Sequence, residues 1–123
     1  ESYWKMTENL IAQMKKHNFF SIPLDWSSAS YPMVWAAINQ EISFPGLLLD
    51  SNQADAKLYQ ILKQLDAVED LPQGMRAYPL KRPQPLSIDV RDCLDLVPAL
   101  AFLLAHIPHA HELRGVENLV HKE

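Results

Sequence analysis

Residues 94–107 form a nearly unbroken apolar run whose polar side chains are Asp95 and His106. A surface helix normally carries one apolar and one polar face, so a helix with so few polar residues is expected to be buried on most of its circumference. Asp92 lies just before the run as a candidate N-cap, and Pro98 falls in the first turn, where its missing N–H costs little. The rest of the chain must therefore supply elements that cover this helix.

Composition limits the classes of protein to which the chain can belong. It has 123 residues, 48% of them hydrophobic, which is enough for the core of one modest domain. The net charge of −4 without a basic run argues against a nucleic-acid partner. No membrane-length apolar run and no basic-then-apolar leader are present, so we expect a cytoplasmic protein with no membrane partner. The single cysteine, Cys93, excludes an internal disulfide and is expected to be a small buried residue.

Apolar residues recur at helical spacing in three further segments. The predicted helices cover residues 3–14, a segment that starts at 28–30 and ends near 39, and residues 54–65. β-Branched and aromatic residues bounded by proline or glycine predict short strands at residues 19–24, 41–49, 75–80 and 86–90. Two further strands are predicted around Gly115, at residues 112–114 and 117–120. The segments 75–80 and 86–90 are expected to form a β-ribbon. This order predicts an α+β fold with helices packed on one face of a mixed sheet.

Two motifs follow one another along the chain. Residues 24–31 read L-D-W-S-S-A-S-Y, and the second motif joins D-L-V-P-A-L-A at residues 95–101 to G-V-E-N-L-V-H-K-E at residues 115–123. Residues 3–10, Y-W-K-M-T-E-N-L, add a weaker third match. Together these segments resemble the 5-enolpyruvylshikimate-3-phosphate synthase family, and the resemblance covers nearly the whole chain.

The resemblance implies a fold of βαβαββ repeat units, six of which build two domains joined by a hinge. Residues 1–24 would be the end of the preceding domain and the hinge crossing, and residues 25–123 part of the next domain, in a polypeptide several times longer. The implied reaction transfers the enolpyruvyl group of phosphoenolpyruvate to the 5-hydroxyl of shikimate 3-phosphate and releases phosphate, without a metal or cofactor. We expect the full-length polypeptide to be a monomer. The fragment alone should be inactive, because the family's site lies between the two domains.

The resemblance also implies three catalytic residues. Asp95 would bind the shikimate hydroxyls and act as the base, Lys122 would contact phosphoenolpyruvate, and Glu123 would donate the proton. Each of these residues has an ordinary structural explanation as well. Asp95 could simply cap a helix, an interaction of about 1 kcal/mol, and Lys122 with Glu123 could be a solvated charged pair of almost no energetic value.

Three more residues are implied to contact substrate or to lie near it. Asn118 would bind the shikimate phosphate, Tyr3 would lie near the shikimate ring, and Asp25 would lie where the two domains close. Tyr3 also belongs to the apolar stripe of the first predicted helix, where a tyrosine is commonly a core residue.

Two other functions remain open at this point. UDP-N-acetylglucosamine enolpyruvyl transferase has the same implied fold, but its reactive cysteine lies in a loop unlike the surroundings of Cys93, and it lacks the N-x-x-x-K-E pattern. A divergent, non-catalytic domain that binds an anion or a partner is the second alternative. It is suggested by the acidic balance and by the short link that precedes Asp25.

His106, His109 and His111 form an H-x-x-H-x-H cluster that suggests a zinc site. Zinc requires three or four ligands that converge on one point with support from a second layer of residues. These histidines span a helix end and a proline turn, and histidine at a helix C-terminus is favoured by the helix dipole alone. We therefore expect no metal here.

Overall fold

A computed structural model describes residues 2–16, 24–49 and 52–121. The helices in these ranges are α1 Ser2–Lys16, α2 Trp26–Ile38, α3 Lys57–Gln64 and α4 Val97–Ala105. The strands are β1 Ile42–Pro45, β2 Val68–Leu71, β3 Gly74–Ala77, β4 Ser87–Asp89 and β5 Glu112–Arg114. Short 3-10 turns cover Ala54–Ala56, Leu94–Leu96 and Glu117–His121. Among the residues described, no helix combines the length and the apolar character needed to cross a membrane.

The predicted helices are all present, but α2 starts earlier than expected. It begins at Trp26 because Asp25 acts as the N-cap, accepting hydrogen bonds from the N–H groups of Ser27 (3.0 Å) and Ser28 (3.2 Å). The start predicted at 28–30 assumed that a serine is the cap, although aspartate is an equally good one. Most of the predicted strand 19–24 falls outside the residues that the structure describes.

The strands form two sheets instead of one mixed sheet. Three strands pair antiparallel in the order β1-β3-β2, and β4 pairs with β5 in parallel. Helices and sheets together make an α+β fold, as the sequence predicted. The expectation of one mixed sheet was wrong for the described residues. The strand β4 does not pair with the antiparallel sheet, and it pairs instead with β5, which lies much later in the chain.

The predicted ribbon between residues 75–80 and 86–90 was also wrong. The strand β3 forms its hairpin with β2, across a two-residue turn at Pro72 and Gln73. After β3 the backbone N–H of Leu80 donates to the carbonyl of Ala37 at the end of α2, which leads the chain away from the sheet. The prolines of the linker lack the N–H that a ladder requires.

The segment 117–120 was predicted as a strand and is instead part of the 3-10 turn Glu117–His121, closed by a hydrogen bond from Leu119 N–H to the carbonyl of Val116 (3.0 Å). Gly115, with φ +77°, turns the chain just before this segment. Val120 is 80% exposed, so the β-branched residue that suggested a strand is not buried against a sheet.

The core lies where α2 and α4 pack together and against α3 and the strands. Its members are almost wholly inaccessible to solvent, and they include Trp26, Met33, Leu58, Leu62, Leu65, Met75, Leu96, Leu100 and Leu103. Each such side chain contributes roughly 1.5–3 kcal/mol through burial. The apolar run of α4 thus forms a rigid support at whose start Asp95 is held.

Candidate active site

The parallel pair β4 and β5 brings two predicted site segments to one edge of a sheet. Asp89 and Arg114, the last residues of the two strands, lie opposite each other in the ladder. In a parallel pair, the carboxyl ends of both strands face the same way. Asp95 follows the end of β4 and Asn118 follows the end of β5. The chain therefore leads both residues away from the same edge.

Asp95 lies in the 3-10 turn Leu94–Leu96 and is half-buried. We expected Asp92 to cap the helix, and that was wrong. Cys93 occupies the cap position of the 3-10 turn, and Asp92 is exposed. The extra turn moves the first residue of α4 to Val97, and Pro98 lies in its first turn as predicted.

Tyr3 reaches Asp95 from the first helix. Its phenolic O–H donates a hydrogen bond to Oδ2 of Asp95 (3.2 Å) across 92 positions of sequence. Tyr3 is 64% exposed, so it is not the core residue that its apolar stripe also allowed. Two of the predicted site residues are therefore in direct contact.

A second polar contact joins α1 to the rest of the described chain. The side-chain amide of Asn9 donates to Oδ1 of Asn52 (2.5 Å), just before the 3-10 turn Ala54–Ala56. Helix α1 thus contacts the segments that lead into both α3 and α4. The segment that leads into α4 carries Asp95, one of the predicted site residues.

Gln53 fixes the segment around Asp25, a role that the sequence did not suggest. Its Nε2 donates to the carbonyl of Leu24 (2.9 Å), and its Oε1 accepts from the N–H of Trp26 (2.9 Å). A lone glutamine in a polar stretch looks like any surface residue, so no sequence signal could have identified it. The start of α2 is consequently held against the start of the 3-10 turn Ala54–Ala56.

Asp25 is an exposed carboxylate held by three donors. The hydroxyl of Ser28 (2.7 Å) and the N–H groups of Ser27 and Ser28 together keep its pKa below the ordinary value of 3.8, with the hydroxyl as the largest cause. Asp25 is therefore ionised and committed to the helix start. Its contacts within the described residues are those of an N-cap.

We predict that the Asp25→Asn variant loses stability relative to the wild-type chain at pH 7 but not near pH 2. Because the pKa of Asp25 is lowered by folding, its contribution is present above the unfolded value of about 3.9 and is lost as pH falls through the folded value. Denaturant unfolding at several pH values measures this difference. If the difference in unfolding free energy between the two proteins stays constant with pH, the charge of Asp25 does not contribute to the stability of the helix start.

Gly115 allows β5 to end beside the turn that follows β4. A Cβ added at this position would lie 2.5 Å from Oδ1 of Asp89, 2.9 Å from Cβ of Arg91 and 3.0 Å from its backbone nitrogen. That Oδ1 atom accepts the Arg91 N–H (3.0 Å), and this bond is the largest cause of the lowered pKa of Asp89. Close packing at Gly115 therefore sets the distance between the turn after β4 and the segment that carries Asn118.

The Gly115→Ala variant is expected to lose about 3 kcal/mol of unfolding free energy, from the positive φ and from overpacking combined. Gly46 supplies a matched control, because its φ is also positive (+82°) and its nearest neighbour would be the flexible end of Leu24 at 3.4 Å. Gly46→Ala should cost about 1 kcal/mol. Equal losses in chemical denaturation would show that the contact with the turn after β4 is unimportant.

Cys93 is 3% exposed, and burial raises the pKa of its thiol to about 11. The thiol therefore stays protonated at neutral pH. Since the thiolate is the nucleophilic form, Cys93 is not a reactive cysteine. The expectation of a small buried residue is confirmed.

Two of the three histidines, His106 and His111, have side chains in contact with the backbone of this chain. His111 Nδ1 accepts a hydrogen bond from the N–H of Leu86 (3.1 Å), so Nε2 carries the proton and donates to the carbonyl of Ile107 (3.0 Å). His106 Nδ1 lies 2.8 Å from the carbonyl oxygen of Phe102. Within the described ranges, no group of three histidine, cysteine or acidic residues is arranged to hold a metal ion.

Comparison with known proteins gives a clear family assignment. A model of the EPSP synthase (3-phosphoshikimate 1-carboxyvinyltransferase) family matches residues 6–123. The chain belongs to the EPSP synthase family. This confirms the resemblance that the two sequence motifs indicated, and the matched residues include the segments of Asp95 and Asn118.

Several relatives of the EPSP synthase family are similar to this chain over most of its length. The 3-phosphoshikimate 1-carboxyvinyltransferase of Aeropyrum pernix is 31% identical over 104 residues, which is 84% of this chain and 24% of the relative. The enzyme of the same name from Methanothrix thermoacetophila is 32% identical over 106 residues, 85% of this chain and 25% of the relative. That of Methanopyrus kandleri is 30% identical over 100 residues, 80% of this chain and 23% of the relative. The chain thus spans about a quarter of the length of these relatives.

Proposed function

We propose that this chain is part of a 3-phosphoshikimate 1-carboxyvinyltransferase. The reaction forms a bond between the 5-oxygen of shikimate 3-phosphate and C2 of phosphoenolpyruvate, and it breaks the C2–O bond to phosphate. Family membership supports this function, and the observation that carries it to this chain is the contact between Tyr3 and Asp95 beside the carboxyl edge of β4 and β5.

Asp95 is the proposed base. Enolpyruvyl transfer needs a group that accepts the proton of the attacking hydroxyl and another that protonates the methylene carbon of phosphoenolpyruvate. A carboxylate fixed in the 3-10 turn before α4 is suited to hold the hydroxyls of a sugar-like ring, since the apolar helix behind it is rigid. The proposed proton donor is Glu123, with Lys122 on the carboxylate or phosphate of phosphoenolpyruvate. Both follow the 3-10 turn that carries Asn118 but lie outside the described residues.

The other substrate contacts in the proposal come from three segments. Asn118 binds the phosphate of shikimate 3-phosphate, and its side chain is exposed at the edge that β5 leaves. Tyr3 lies near the ring, in keeping with its contact to Asp95. Asp25 lies at the closure between domains in this proposal, and Gln53 holds the two residues that flank it, Leu24 and Trp26.

Charges of both signs surround the carboxyl edge of β4. The backbone N–H of Arg91 is the first cause of the lowered pKa of Asp89, and the positive charges of Arg91, Arg114 and Lys57 act in the same direction. Arg114 lies 3.6 Å from the carboxylate of Glu112, and Lys57 is bonded to the carbonyl of Asp89. Because this chain has a net charge of −4, the proposal takes further cations for the polyanionic substrates from other segments of the full-length polypeptide.

The architecture of the whole protein is part of the same proposal. Residues 1–24 end one domain and cross the hinge, and residues 25–123 form part of the next domain, which is built from βαβαββ units. The full-length polypeptide is a cytoplasmic monomer that needs no cofactor. Contacts from α1 to Asn52 and Asp95 support a site to which segments of both domains contribute.

Steady-state kinetics of the full-length polypeptide test this function. Phosphate should be released from phosphoenolpyruvate only when shikimate 3-phosphate is present, and residues 1–123 alone should show no turnover. Release that does not depend on shikimate 3-phosphate would contradict the assignment. If phosphate is never released, calorimetric titration of both ligands decides whether the protein is a non-catalytic binding domain of the same fold.

The geometry of Cys93 argues against the other enolpyruvyl transferase. UDP-N-acetylglucosamine enolpyruvyl transferase uses a reactive cysteine in a loop, whereas Cys93 is buried and its thiol has a pKa of about 11. Both enzymes use phosphoenolpyruvate, so the expected difference lies in the acceptor: shikimate 3-phosphate, and not a UDP sugar, should receive the enolpyruvyl group.

A further inference from the structure

Lys57 is held in an unusual way for a lysine. It is the first residue of α3, directly after the 3-10 turn Ala54–Ala56, and its backbone N–H donates to the carbonyls of Ala54 and Asp55. Its side chain is half-buried, and its Nζ donates a hydrogen bond of 2.6 Å to the backbone carbonyl of Asp89. The ammonium of Lys57 is therefore a fixed contact between the start of α3 and the end of β4.

The carbonyl that Lys57 holds is the last one of β4. After β4, the side-chain Oδ1 of Asp89 accepts a hydrogen bond from the N–H of Arg91, and the N–H of Cys93 donates to the carbonyl of Val90 (3.0 Å). These bonds fold the chain into a tight turn that leads to Asp95. The Cys93 thiol also lies near the ammonium. Burial raises the pKa of that thiol, and Lys57 is the largest opposing influence.

On the basis of the proposed function, we propose that Lys57 is a positioning residue for Asp95. Its ammonium joins the start of α3 to the start of the turn that carries the base, and so fixes where the Asp95 carboxylate lies relative to the substrate hydroxyls. Lys57 acts through the backbone of Asp89 and contacts no substrate in this proposal. We call the hydrogen bond from Lys57 Nζ to the carbonyl of Asp89 the clamp. Displacement of a catalytic group by about 1 Å can lower a rate by about 10²-fold, so loss of the clamp should have a measurable effect.

Other lysines of the described chain provide a contrast. The ammonium of Lys63 lies 5.6 Å from the ring centre of Tyr59, and that of Lys81 lies 4.9 Å from the ring centre of Tyr78. Lys63 and Lys81 are both exposed. Lys63 belongs to the last turn of α3, where a cation suits the dipole, and it is therefore the matched control for Lys57.

A double-mutant cycle in the full-length enzyme tests the proposal. Lys57→Met should lower kcat by about 10- to 100-fold, with KM for both substrates changed less than about 3-fold. In the Asp95→Asn background, Lys57→Met should lower kcat by less than about 3-fold more, because the group that it positions is already gone. Lys63→Met should leave kcat unchanged in both backgrounds. Equal losses from Lys57→Met in the two backgrounds would overturn the proposal.

Hydrogen exchange separates this proposal from the assignment of function. Lys57→Met should speed amide exchange in residues 89–96 by 10-fold or more, whereas Lys63→Met should not change it. Unchanged exchange in this segment overturns the clamp, whatever the enzyme does. Faster exchange in a protein without phosphate release would keep the clamp and refute the proposed function. If Lys57→Met does not fold, the kinetic and hydrogen-exchange measurements are made on Lys57→Gln. This variant keeps an N–H donor on a shorter, uncharged side chain.

Discussion

The Asp95→Asn variant of the full-length polypeptide should lose about 10²–10⁴-fold in kcat, the usual contribution of a general base. Asparagine keeps the size of the side chain and can still accept the hydrogen bond from Tyr3, so the fold and the contact with α1 should survive. What disappears is the ability to take a proton from the 5-hydroxyl. Binding of shikimate 3-phosphate should change much less than kcat.

Asp92 provides the control for that experiment. It lies three positions before Asp95, outside the 3-10 turn Leu94–Leu96, and is exposed. Asp92→Asn should retain nearly full activity. If Asp92→Asn and Asp95→Asn lower kcat equally, the loss reflects the charge of the turn, and Asp95 is not the base.

The Glu123→Gln variant is expected to lower kcat by about 10²–10⁴-fold as well, because the amide cannot protonate the methylene carbon of phosphoenolpyruvate. The two losses should have different origins. Asp95→Asn removes the acceptor of the hydroxyl proton, while Glu123→Gln removes the donor of the proton to carbon. Rapid-quench kinetics with both substrates should therefore show a slow chemical step in each variant.

A glutamate in the same region serves as the control for Glu123. Glu117 begins the 3-10 turn Glu117–His121 and is exposed. Glu117→Gln should have kcat within about 2-fold of the wild-type value, as most exposed substitutions cause small changes. Wild-type kcat in Glu123→Gln would remove Glu123 from the mechanism and assign the proton to another acid.

The helices could be predicted because their buried residues recur in the sequence at helical spacing. Leu58, Ile61 and Leu62 repeat at helical spacing, and all three are buried in α3. Helix starts were less predictable, since aspartate, serine and cysteine compete for cap positions. Asp25 rather than a serine caps α2. Cys93 rather than Asp92 occupies the cap position of the 3-10 turn that contains Asp95.

The pairing of the strands could not be predicted from the sequence, because it depends on tertiary contacts between distant segments. The residues of β4 pair with β5, more than twenty positions away, and the first and last bonds of that pairing run from Glu112 N–H to the carbonyl of Leu86 and from Val90 N–H to the carbonyl of Arg114. Segment 117–120 contains the apolar residues Leu119 and Val120, but Val120 is 80% exposed and the segment pairs with no strand among the described residues. Local pattern therefore predicted a strand where the structure has a 3-10 turn.

Site residues were predicted only where a motif exists. Asp95 and Asn118 were suggested by the resemblance, and the contact between Tyr3 and Asp95 required the fold. Gln53 and Lys57 belong to no quoted motif. Residues that act through backbone carbonyls leave little trace in a sequence.

The most direct test of this account is a crystal structure of the full-length protein with shikimate 3-phosphate bound. We expect the carboxylate of Asp95 within hydrogen-bond distance of the ring hydroxyls, about 2.6–3.2 Å, with Asn118 on the phosphate and Lys122 and Glu123 beside the 5-hydroxyl. A ligand bound in contact with none of these four residues would contradict the account.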